Sequence, residues 1–581
     1  MAREKYHRPE PSITSGASVS TIQAPKGSDT TADILVNRLI AWGVDTIFGL
    51  VGDGIGPVIE SLRKRQDSIQ FVTVRHEEAA AFMASGLSKY TGRLGACIAT
   101  TGPGAIHLLN GLYDAAYDGA SVIAITGTTY SNRIGTFYQQ EVNTETLVKD
   151  IATYNVMVTG PRHALTVVDT ACRSALAAPG LAHLTIPIDV QRKPLSADAF
   201  SPPAEEKRGA GSWTPPVDVP SADQLNAAAA LLNAGTRTMI LAGRGALGAQ
   251  SEVEQVADRL GAPVAKALLG RTVIADSSPF TTGSVGHLGT LPSKQMAEEC
   301  DTILILGSTM PYQEFYPEPG QARCVQVDRN PRRIGLRYAA EVGLAGDVKG
   351  TLAALLPRLR RQEDRSFLET AQKRMRRWRE IMRDQGNDRS MPLKSQFVLA
   401  RLSPLLDDDA MISIDCGCHT VFAARQLEFR GRQQLAIAGN MATMAPGLPY
   451  AVAAQLAYPW RQSVALTGDG GFTMLMGEMA TAVRYDLPIK VFVFKNNGLE
   501  MVRFEQEGAG NPSYGVELQP IDFAGYAVAC GAEGYRCVTP DEVEPTLKKA
   551  LASKRPTLVE LTVDPDELPM EPEQFREAMK E

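Results

Sequence analysis

The chain has 581 residues, which is too long for a single hydrophobic core and predicts two to four domains. Its composition, 44% hydrophobic and 21% charged, is typical of globular domains. The net charge of −6 leaves no basic surplus to neutralise phosphates, which argues against general nucleic-acid binding.

The first 28 residues contain no apolar core segment, so we expect a disordered extension there and not a signal peptide. No apolar run approaches the roughly 20 residues of a membrane span. The eight cysteines are scattered, and Cys416 and Cys418 form C-x-C instead of the paired C-x-x-C of zinc sites. Buried thiols in a reducing cytoplasm are therefore expected.

Two shifts in composition predict three domains. One stretch is rich in proline, glycine and charge, and the other is a charged helical pattern whose interleaved acids and bases indicate a solvated linker helix. The predicted segments are an extension (1–28), a first domain (29–195), a linker (196–222), a central domain (223–358), a linker helix (359–392), a third domain (393–565) and a charged tail (566–581).

Each domain alternates short apolar strands with helical patterns. The predicted strands are 46–50, 94–100 and 121–127 in the first domain, 238–243, 302–308 and 323–328 in the second, and 410–415, 463–470, 489–495 and 556–563 in the third. This alternation predicts an α/β protein with three doubly wound parallel sheets.

The first and third domains contain similar segments, each running strand, T-G-x-G, apolar helix and strand. The loops differ at one informative position, where Pro103 corresponds to Asp469. An acid in only one of the two loops predicts that the two domains have different functional roles.

The stretch "TGDGG" places Asp469 at the carboxyl end of a strand, where open α/β sheets bind ligands. Its glycines let the backbone approach an anion closely. Asn496 follows Asp469 by 27 positions (496 − 469), enough for one helix and one strand, so both side chains can meet at one sheet edge. Carboxylate, amide and carbonyl oxygens with phosphate oxygens suit Mg²⁺. The alternative is a tight turn with a solvated acid.

G-D-G followed by N-N at this interval resembles the diphosphate- and Mg²⁺-binding motif of thiamine diphosphate enzymes. The resemblance covers residues 30–565 and is closest to bacterial pyruvate oxidases and pyruvate:quinone oxidoreductases. It implies pyrimidine-binding, central and diphosphate-binding domains, with active sites between subunits of a homodimer or homotetramer. It also implies that Asp469, Asn496 and the carbonyl of Gly498 hold the metal, whereas Asn497 is not a ligand.

"VRHEEAAAFMASG" resembles the family's glutamate motif, and Glu77 falls on the catalytic position. A carboxylate bonded to the aminopyrimidine ring favours the imino tautomer that accepts a proton, most effectively when burial raises the pKa of the carboxylate. Without the resemblance, Glu77 and Glu78 would be interpreted as acids at a helix start, and Glu78 keeps that interpretation.

Other positions follow from the resemblance. Met444, 25 positions before Asp469 (469 − 444), matches the apolar wedge that bends the cofactor, although a methionine is more often core filler. The implied thiamine diphosphate contacts are Glu77, Ala442, Thr443, Met444, Asp469, Gly470, Gly471, Asn496, Asn497, Gly498, Leu499, Glu500, Met501 and Val502, with Cys418 and His419 as neighbours.

His107 and Gln140 match polar positions that face the reacting centre in the oxidase branch. They are predicted to bind the substrate carboxylate or relay protons. A satisfied core histidine is the alternative for His107.

The central domain resembles that of the flavin-binding oxidases. The implied FAD contacts are Val285, Gly286, His287, Leu288, Ser308, Thr309, Met310, Pro311, Tyr312 and Asp328. A formal G-x-G-x-x-G at 243–248 is not followed by the strand-end acid of a nicotinamide site, and packing explains its glycines as well. The alternatives are a relic domain without flavin and a flavin kept only for structure.

The expected reaction is FAD-dependent oxidative decarboxylation of pyruvate or a similar 2-keto acid to acetate or acetyl phosphate. "MVR" (501–503) also occurs in acetolactate synthases, but Glu505 replaces the tryptophan of that branch. Met501 stands where the oxidases have an aromatic residue, and Glu500 stands where a small residue is usual. A carboligase is the first alternative and a silent scaffold a remote one. The charged tail makes a membrane partner unexpected and favours a cytoplasmic enzyme with a soluble electron acceptor.

Overall fold

The computed structural model describes residues 28–195, 214 and 217–580. The expected N-terminal extension and most of the first linker therefore lie outside the described residues. The chain divides into two compact units, residues 1–215 and 216–581, called the N-terminal and C-terminal units below.

The N-terminal unit contains one six-stranded sheet in the order β2-β1-β3-β4-β6-β5, in which all neighbouring strands are parallel. Its strands are β1 Thr46–Gly49, β2 Gln70–Thr73, β3 Gly95–Ala99, β4 Val122–Thr128, β5 Ala152–Met157 and β6 Leu181–Pro187. Its helices are α1 Thr31–Ala41, α2 Gly56–Lys64, α3 Glu77–Thr91, α4 Pro103–His107, α5 Leu109–Asp118, α6 Thr144–Leu147, α7 Pro161–Ala177 and α8 Ile188–Gln191.

The C-terminal unit begins with a second parallel sheet in the order β12-β11-β10-β7-β8-β9. Its strands are β7 Thr238–Ala242, β8 Val264–Lys266, β9 Thr281–Ser284, β10 Thr302–Leu306, β11 Arg323–Asp328 and β12 Val342–Ala345. The accompanying helices are α9 Ala222–Ala234, α10 Gln250–Leu260, α11 Leu291–Glu299, α12 Val348–Leu355 and α13 Ser366–Gly386.

The third sheet, also parallel, has the order β14-β13-β15-β16-β18-β17. Its strands are β13 Met411–Ile414, β14 Gln434–Ala436, β15 Ser463–Gly468, β16 Lys490–Lys495, β17 Glu533–Cys537 and β18 Thr557–Thr562. Its helices are α14 Ser395–Leu402, α15 Cys418–Gln426, α16 Gly447–Ala457, α17 Asp469–Leu475, α18 Glu478–Arg484, α19 Glu500–Gly508, α20 Phe523–Ala529 and α21 Pro540–Ala552.

The three parallel sheets confirm the predicted fold class. Counted from its own first strand, the third sheet has the order 2-1-3-4-6-5, and the first sheet has the same order. The likeness of the two segments in the sequence therefore extends to topology. The central sheet has the doubly wound order 3-2-1-4-5-6 instead.

The glycines of the G-x-G-x-x-G motif have a packing role in the central sheet. A Cβ atom at Gly243 would lie 2.5 Å from the carbonyl oxygen of Gly307, and one at Gly245 would lie 2.8 Å from the Gly307 Cα atom. The loops after β7 and β10 therefore touch backbone to backbone, which agrees with the packing interpretation of the motif.

Helix α13 differs from the solvated helix expected for this region. One face is buried, including Phe367, Met375, Trp378 and Met382, and Phe575 from the charged tail packs on Trp378 with ring centroids 4.8 Å apart. The acids and bases occupy only the opposite face, so the expectation of a fully solvated helix is wrong. None of the described helices is long and apolar enough to cross a membrane.

Candidate cofactor site

The third sheet carries a cleft at the point where its strand order reverses, between β13 and β15. Ligands bind at such switch points because the loops at the carboxyl ends of the two strands diverge there. The cleft is lined by Ser395, Cys416, Gly417, Cys418, His419, Phe422, Met444, Gly468, Asp469, Gly470, Gly471, Phe494, Asn496, Gly498, Leu499, Glu500, Met501, Val502, Val563, Asp564, Pro565 and Glu567. The structure therefore brings most of the implied diphosphate contacts together.

Asp469 is the first residue of α17 and only 5% exposed. Its carboxylate accepts hydrogen bonds from the backbone N–H groups of Gly470 (2.9 Å) and Asn497 (2.6 Å). Burial raises the pKa of the Asp469 carboxyl to about 6. A divalent cation would offset this cost of burying a charge, because an opposite charge favours the ionised carboxylate.

The second asparagine contributes through its backbone. Asn497 has a left-handed φ of 61°, and its N–H group is aimed at Asp469. The Asn496 Oδ1 atom accepts from the N–H group of Gly498 at 3.2 Å and also lines the cleft. The oxygens of Asp469, Asn496 and Gly498 are of the types that Mg²⁺ prefers.

His419 and Gly470 shape the wall of the cleft. His419 is buried and stacks on Phe494, and its Nε2 atom has no hydrogen-bond partner among the described residues. A Cβ atom at Gly470 would lie 2.8 Å from the Leu499 side chain and 3.2 Å from Met444, so only glycine fits there without displacement. The Nε2 atom is inaccessible, so it is a buried exception to the usual pairing of polar atoms and does not by itself indicate a ligand.

Of the three neighbouring residues Ala442, Thr443 and Met444, which the resemblance implies as cofactor contacts, only one lines the cleft. Met444 lines it, whereas Ala442 and Thr443 do not. Ala442 has a left-handed φ of 48°, and the Thr443 hydroxyl donates to the Met444 carbonyl at 3.1 Å.

The residues that the sequence does not predict include Ser395 and Glu567, which line the cleft, and Asp415, which adjoins the lining residue Cys416. Asp415 follows β13 as Asp469 follows β15, and its Oδ1 atom accepts from the N–H groups of Cys416 (2.7 Å) and Ala445 (2.8 Å). Burial raises the pKa of the Asp415 carboxyl to about 7. The acid at the strand end was a usable signal, whereas Ser395 and Glu567 reach the cleft from distant parts of the chain.

The N-terminal unit brings its predicted polar residues to one place. Glu77 is the first residue of α3 and buried, and its Oε2 atom lies 3.0 Å from the Nδ1 atom of His107. The Gln140 Oε1 atom accepts from the Thr101 hydroxyl at 2.8 Å, in the loop that leads into α4 and His107. His107 is an exposed residue at the end of a short helix, which excludes the satisfied core histidine considered above.

The central sheet carries the implied flavin positions at the carboxyl ends of three strands. Residues 285–288 follow β9, residues 308–312 follow β10, and Asp328 ends β11. The first two loops touch, because the rings of His287 and Tyr312 lie 4.6 Å apart and a Cβ atom at Gly286 would lie 3.5 Å from Tyr312. Gly286 also has a left-handed φ of 108°.

Asp328 is buried, which raises the pKa of its carboxyl, and one oxygen accepts from the Asn330 N–H group at 2.8 Å. A strand-end carboxylate of this kind fits the hydroxyls of a ribose.

Three family models match the chain in sequence order. The N-terminal thiamine pyrophosphate-binding domain matches residues 29–147, the central domain of these enzymes matches residues 225–355, and the C-terminal thiamine pyrophosphate-binding domain matches residues 415–561.

Curated relatives agree with these matches. The chain is 37% identical over 540 residues to the putative thiamine pyrophosphate-containing protein YdaP of Bacillus subtilis, covering 92% of each chain. It is 31% identical to a pyruvate oxidase of Lactiplantibacillus plantarum, covering 93% of this chain and 90% of the relative. It is 30% identical to a probable acetolactate synthase large subunit of Methanocaldococcus jannaschii, covering 93% of each. The chain therefore belongs to the family of thiamine pyrophosphate enzymes.

Proposed function

We propose that the protein is a thiamine diphosphate-, Mg²⁺- and FAD-dependent enzyme that decarboxylates pyruvate or a similar 2-keto acid oxidatively. The observation that carries the proposal is the buried Asp469, which lines a switch-point cleft together with Asn496 and Gly498. When bound, thiamine diphosphate supplies the carbon nucleophile that attacks the keto group.

The residues of the C-terminal unit have separable roles in this proposal. Asp469, Asn496 and the Gly498 carbonyl would hold the cation, and His419 would form part of the wall beside the diphosphate. Gly470 leaves room for the side chains of Leu499 and Met444, and Met444 would act as an apolar wedge against the cofactor. These groups bind and orient, because the reactive atoms belong to the cofactor.

Glu77 has the catalytic role in the N-terminal unit. Its carboxylate holds a proton at the pyrimidine ring nitrogen, which makes the exocyclic amino group a base. His107 contacts the Glu77 carboxylate directly. We propose that this contact orients Glu77, and that His107 and Gln140 also bind the substrate carboxylate.

The net reaction is pyruvate and water to acetate and CO₂, with release of two electrons and two protons. FAD on the central sheet is the proposed acceptor, bound by the loops 285–288 and 308–312 and by Asp328. Pyruvate oxidase among the relatives supports this assignment. When phosphate takes the place of water, the product is acetyl phosphate.

A carboligase is the second candidate, because acetolactate synthases are also among the relatives. In that reaction a second 2-keto acid takes the acetyl unit and no electrons leave. A silent scaffold is a third and weaker candidate, because the acid–amide pair of the metal site and Glu77 are all present.

The cofactor content of the purified protein tests the proposal. We expect bound thiamine diphosphate and the yellow absorption of oxidised flavin, both released on denaturation and identified by mass. A protein that binds thiamine diphosphate but remains colourless after incubation with FAD would contradict the oxidative assignment and favour the carboligase.

A further inference from the structure

Glu500 lines the cleft, and the proposed mechanism gives it no role. It begins α19, is 8% exposed and lines the cleft beside Gly498 and Asp469. Its Oε1 atom folds back against Gly498 so closely that a Cβ atom at position 498 would clash with it. The glycine at 498 and the acid at 500 are therefore sterically matched.

Glu500 adds negative charge to a cleft that already has an excess. Four carboxylates line the cleft: Asp469, Glu500, Asp564 and Glu567. Among their ion pairs within the described residues, Lys394 pairs with Asp564, and Arg503 pairs with Glu500.

The Arg503 charge is itself divided. Besides Glu500, it lies 2.9 Å from Asp566 and 3.5 Å from Glu507. One guanidinium shared by three carboxylates does not neutralise Glu500 fully. An anionic diphosphate entering beside Glu500 and Asp469 would be repelled unless a cation accompanied it.

We propose that Glu500 is a second carboxylate of the cation site, acting on the metal through its water shell. The inference rests on the proposed metal site. Mg²⁺ takes six oxygen ligands and keeps waters among them, so three protein oxygens would leave positions for phosphate oxygens and for water. Glu500, two residues beyond Gly498, accepts a hydrogen bond from that water, which strengthens cation binding and makes cofactor capture strictly dependent on the cation.

The competing explanation is structural, namely that Glu500 only pairs with Arg503 in the first turns of α19. Glu507 provides the matched control, because it also pairs with Arg503 but is exposed and does not line the cleft. Removing its charge alters the Arg503 network without altering the cation site.

The test is Mn²⁺ binding, followed by the electron paramagnetic resonance signal of the free ion, with thiamine diphosphate present. We expect Glu500→Gln to weaken Mn²⁺ binding about 10- to 100-fold, as loss of an outer-sphere ligand typically does. Glu507→Gln should change it less than about 3-fold, and Asp469→Asn should abolish it. Equal affinities of Glu500→Gln and Glu507→Gln would overturn the inference.

A second measurement excludes damage to the fold as the cause. Without a divalent ion, Glu500→Gln should bind thiamine diphosphate as well as or better than wild type, because one repelling charge is gone. Weaker binding there would overturn the inference. If wild type binds no Mn²⁺, or Asp469→Asn leaves binding intact, the proposed metal site itself is wrong.

Discussion

Replacing Glu77 distinguishes an active enzyme from a protein that retains only the fold. Glu77→Gln keeps the size of the side chain but removes the carboxylate that would hold the ring proton. We expect turnover to fall about 10²- to 10⁴-fold, the range for loss of a general acid–base group, while thiamine diphosphate still binds. Steady-state rates and cofactor titration measure the two effects.

Glu78 supplies the control for this substitution. It is the next residue of the same helix, and its carboxylate accepts from the Asn110 side chain at 2.7 Å, whereas the Glu77 carboxylate contacts His107. The second oxygen of Glu78 lies 3.9 Å from the Nδ1 atom of His76, whose ring stacks on His107. Glu78→Gln should change turnover only a few-fold. Similar losses in both variants would contradict the catalytic assignment of Glu77.

His183 predicts a pH dependence of stability in the N-terminal unit. It is fully buried between Thr126 (2.9 Å) and Asn155 (2.8 Å), and burial lowers the pKa of its imidazole from 6.5 to about 4. The unfolded chain therefore binds the proton more readily. The contribution of the neutral, buried imidazole to the free energy of unfolding is complete above about pH 6.5. It decreases by up to about 3 kcal/mol as the pH falls towards 4.

His183→Gln removes the titrating group. We expect the melting temperature of the variant to be lower than that of wild type at pH 7.5 and the difference to narrow at pH 5. If the difference in melting temperature is the same at pH 7.5 and pH 5, protonation of His183 does not destabilise the folded state.

At the scale of elements, the charged tail (described from 566 to 580) packs against the rest of the C-terminal unit. Phe575 is 3% exposed and contacts Trp378, while the Arg425 guanidinium donates to the carbonyls of Met570 (2.6 Å) and His287 (3.0 Å). Glu571 and His287 also form an ion-pair contact at 3.1 Å. The segment therefore supports one of the proposed flavin loops.

Phe575→Ala should destabilise the C-terminal unit by about 3–5 kcal/mol, because it leaves a cavity against α13. Tyr514→Ala in the same unit is the control, since Tyr514 is 87% exposed and should cost less than about 0.5 kcal/mol. Chemical denaturation measures both. A cost for Phe575→Ala no larger than the control would show that the segment is not part of the core.

The predictable elements are those whose sequences carry their own periodicity. Central strands such as β4, β10 and β15 are long apolar runs and were expected within one or two residues. Short strands such as β8 (Val264–Lys266) and β14 (Gln434–Ala436) span only three residues, too few to show a pattern. Helix α13 is an exception, because its buried residues Phe367, Ala371, Met375, Trp378 and Met382 do recur at the spacing of one helix face, and the many charges around them obscured that pattern.

The site followed the same rule. The places of Asp469, Asn496 and Glu77 at strand or helix ends could be predicted because each belongs to a local motif there, and their roles in binding and catalysis stay predictions. Ser395 and Glu567 could not be predicted, because only the folded chain brings them to the cleft.

At the scale of the whole molecule, the two sheets of identical strand order carry different candidate site residues. The third sheet carries the acid–amide pair, and the first carries Glu77 with His107. The proposed homodimer or homotetramer would pair these half-sites between subunits. The chain mass is 62.6 kDa, so light scattering after size exclusion should give two or four times that value. A stable, active monomer would contradict the shared site.

The measurement that tests the central claim most directly is the product analysis of pyruvate turnover with and without an artificial electron acceptor. The proposed function predicts acetate or acetyl phosphate in equal amount to CO₂ and to reduced two-electron acceptor, with no sustained turnover when the acceptor and oxygen are both absent. It also predicts that Glu77→Gln lowers the rate of this reaction about 10²- to 10⁴-fold. Acetolactate formed from pyruvate without any acceptor would contradict it.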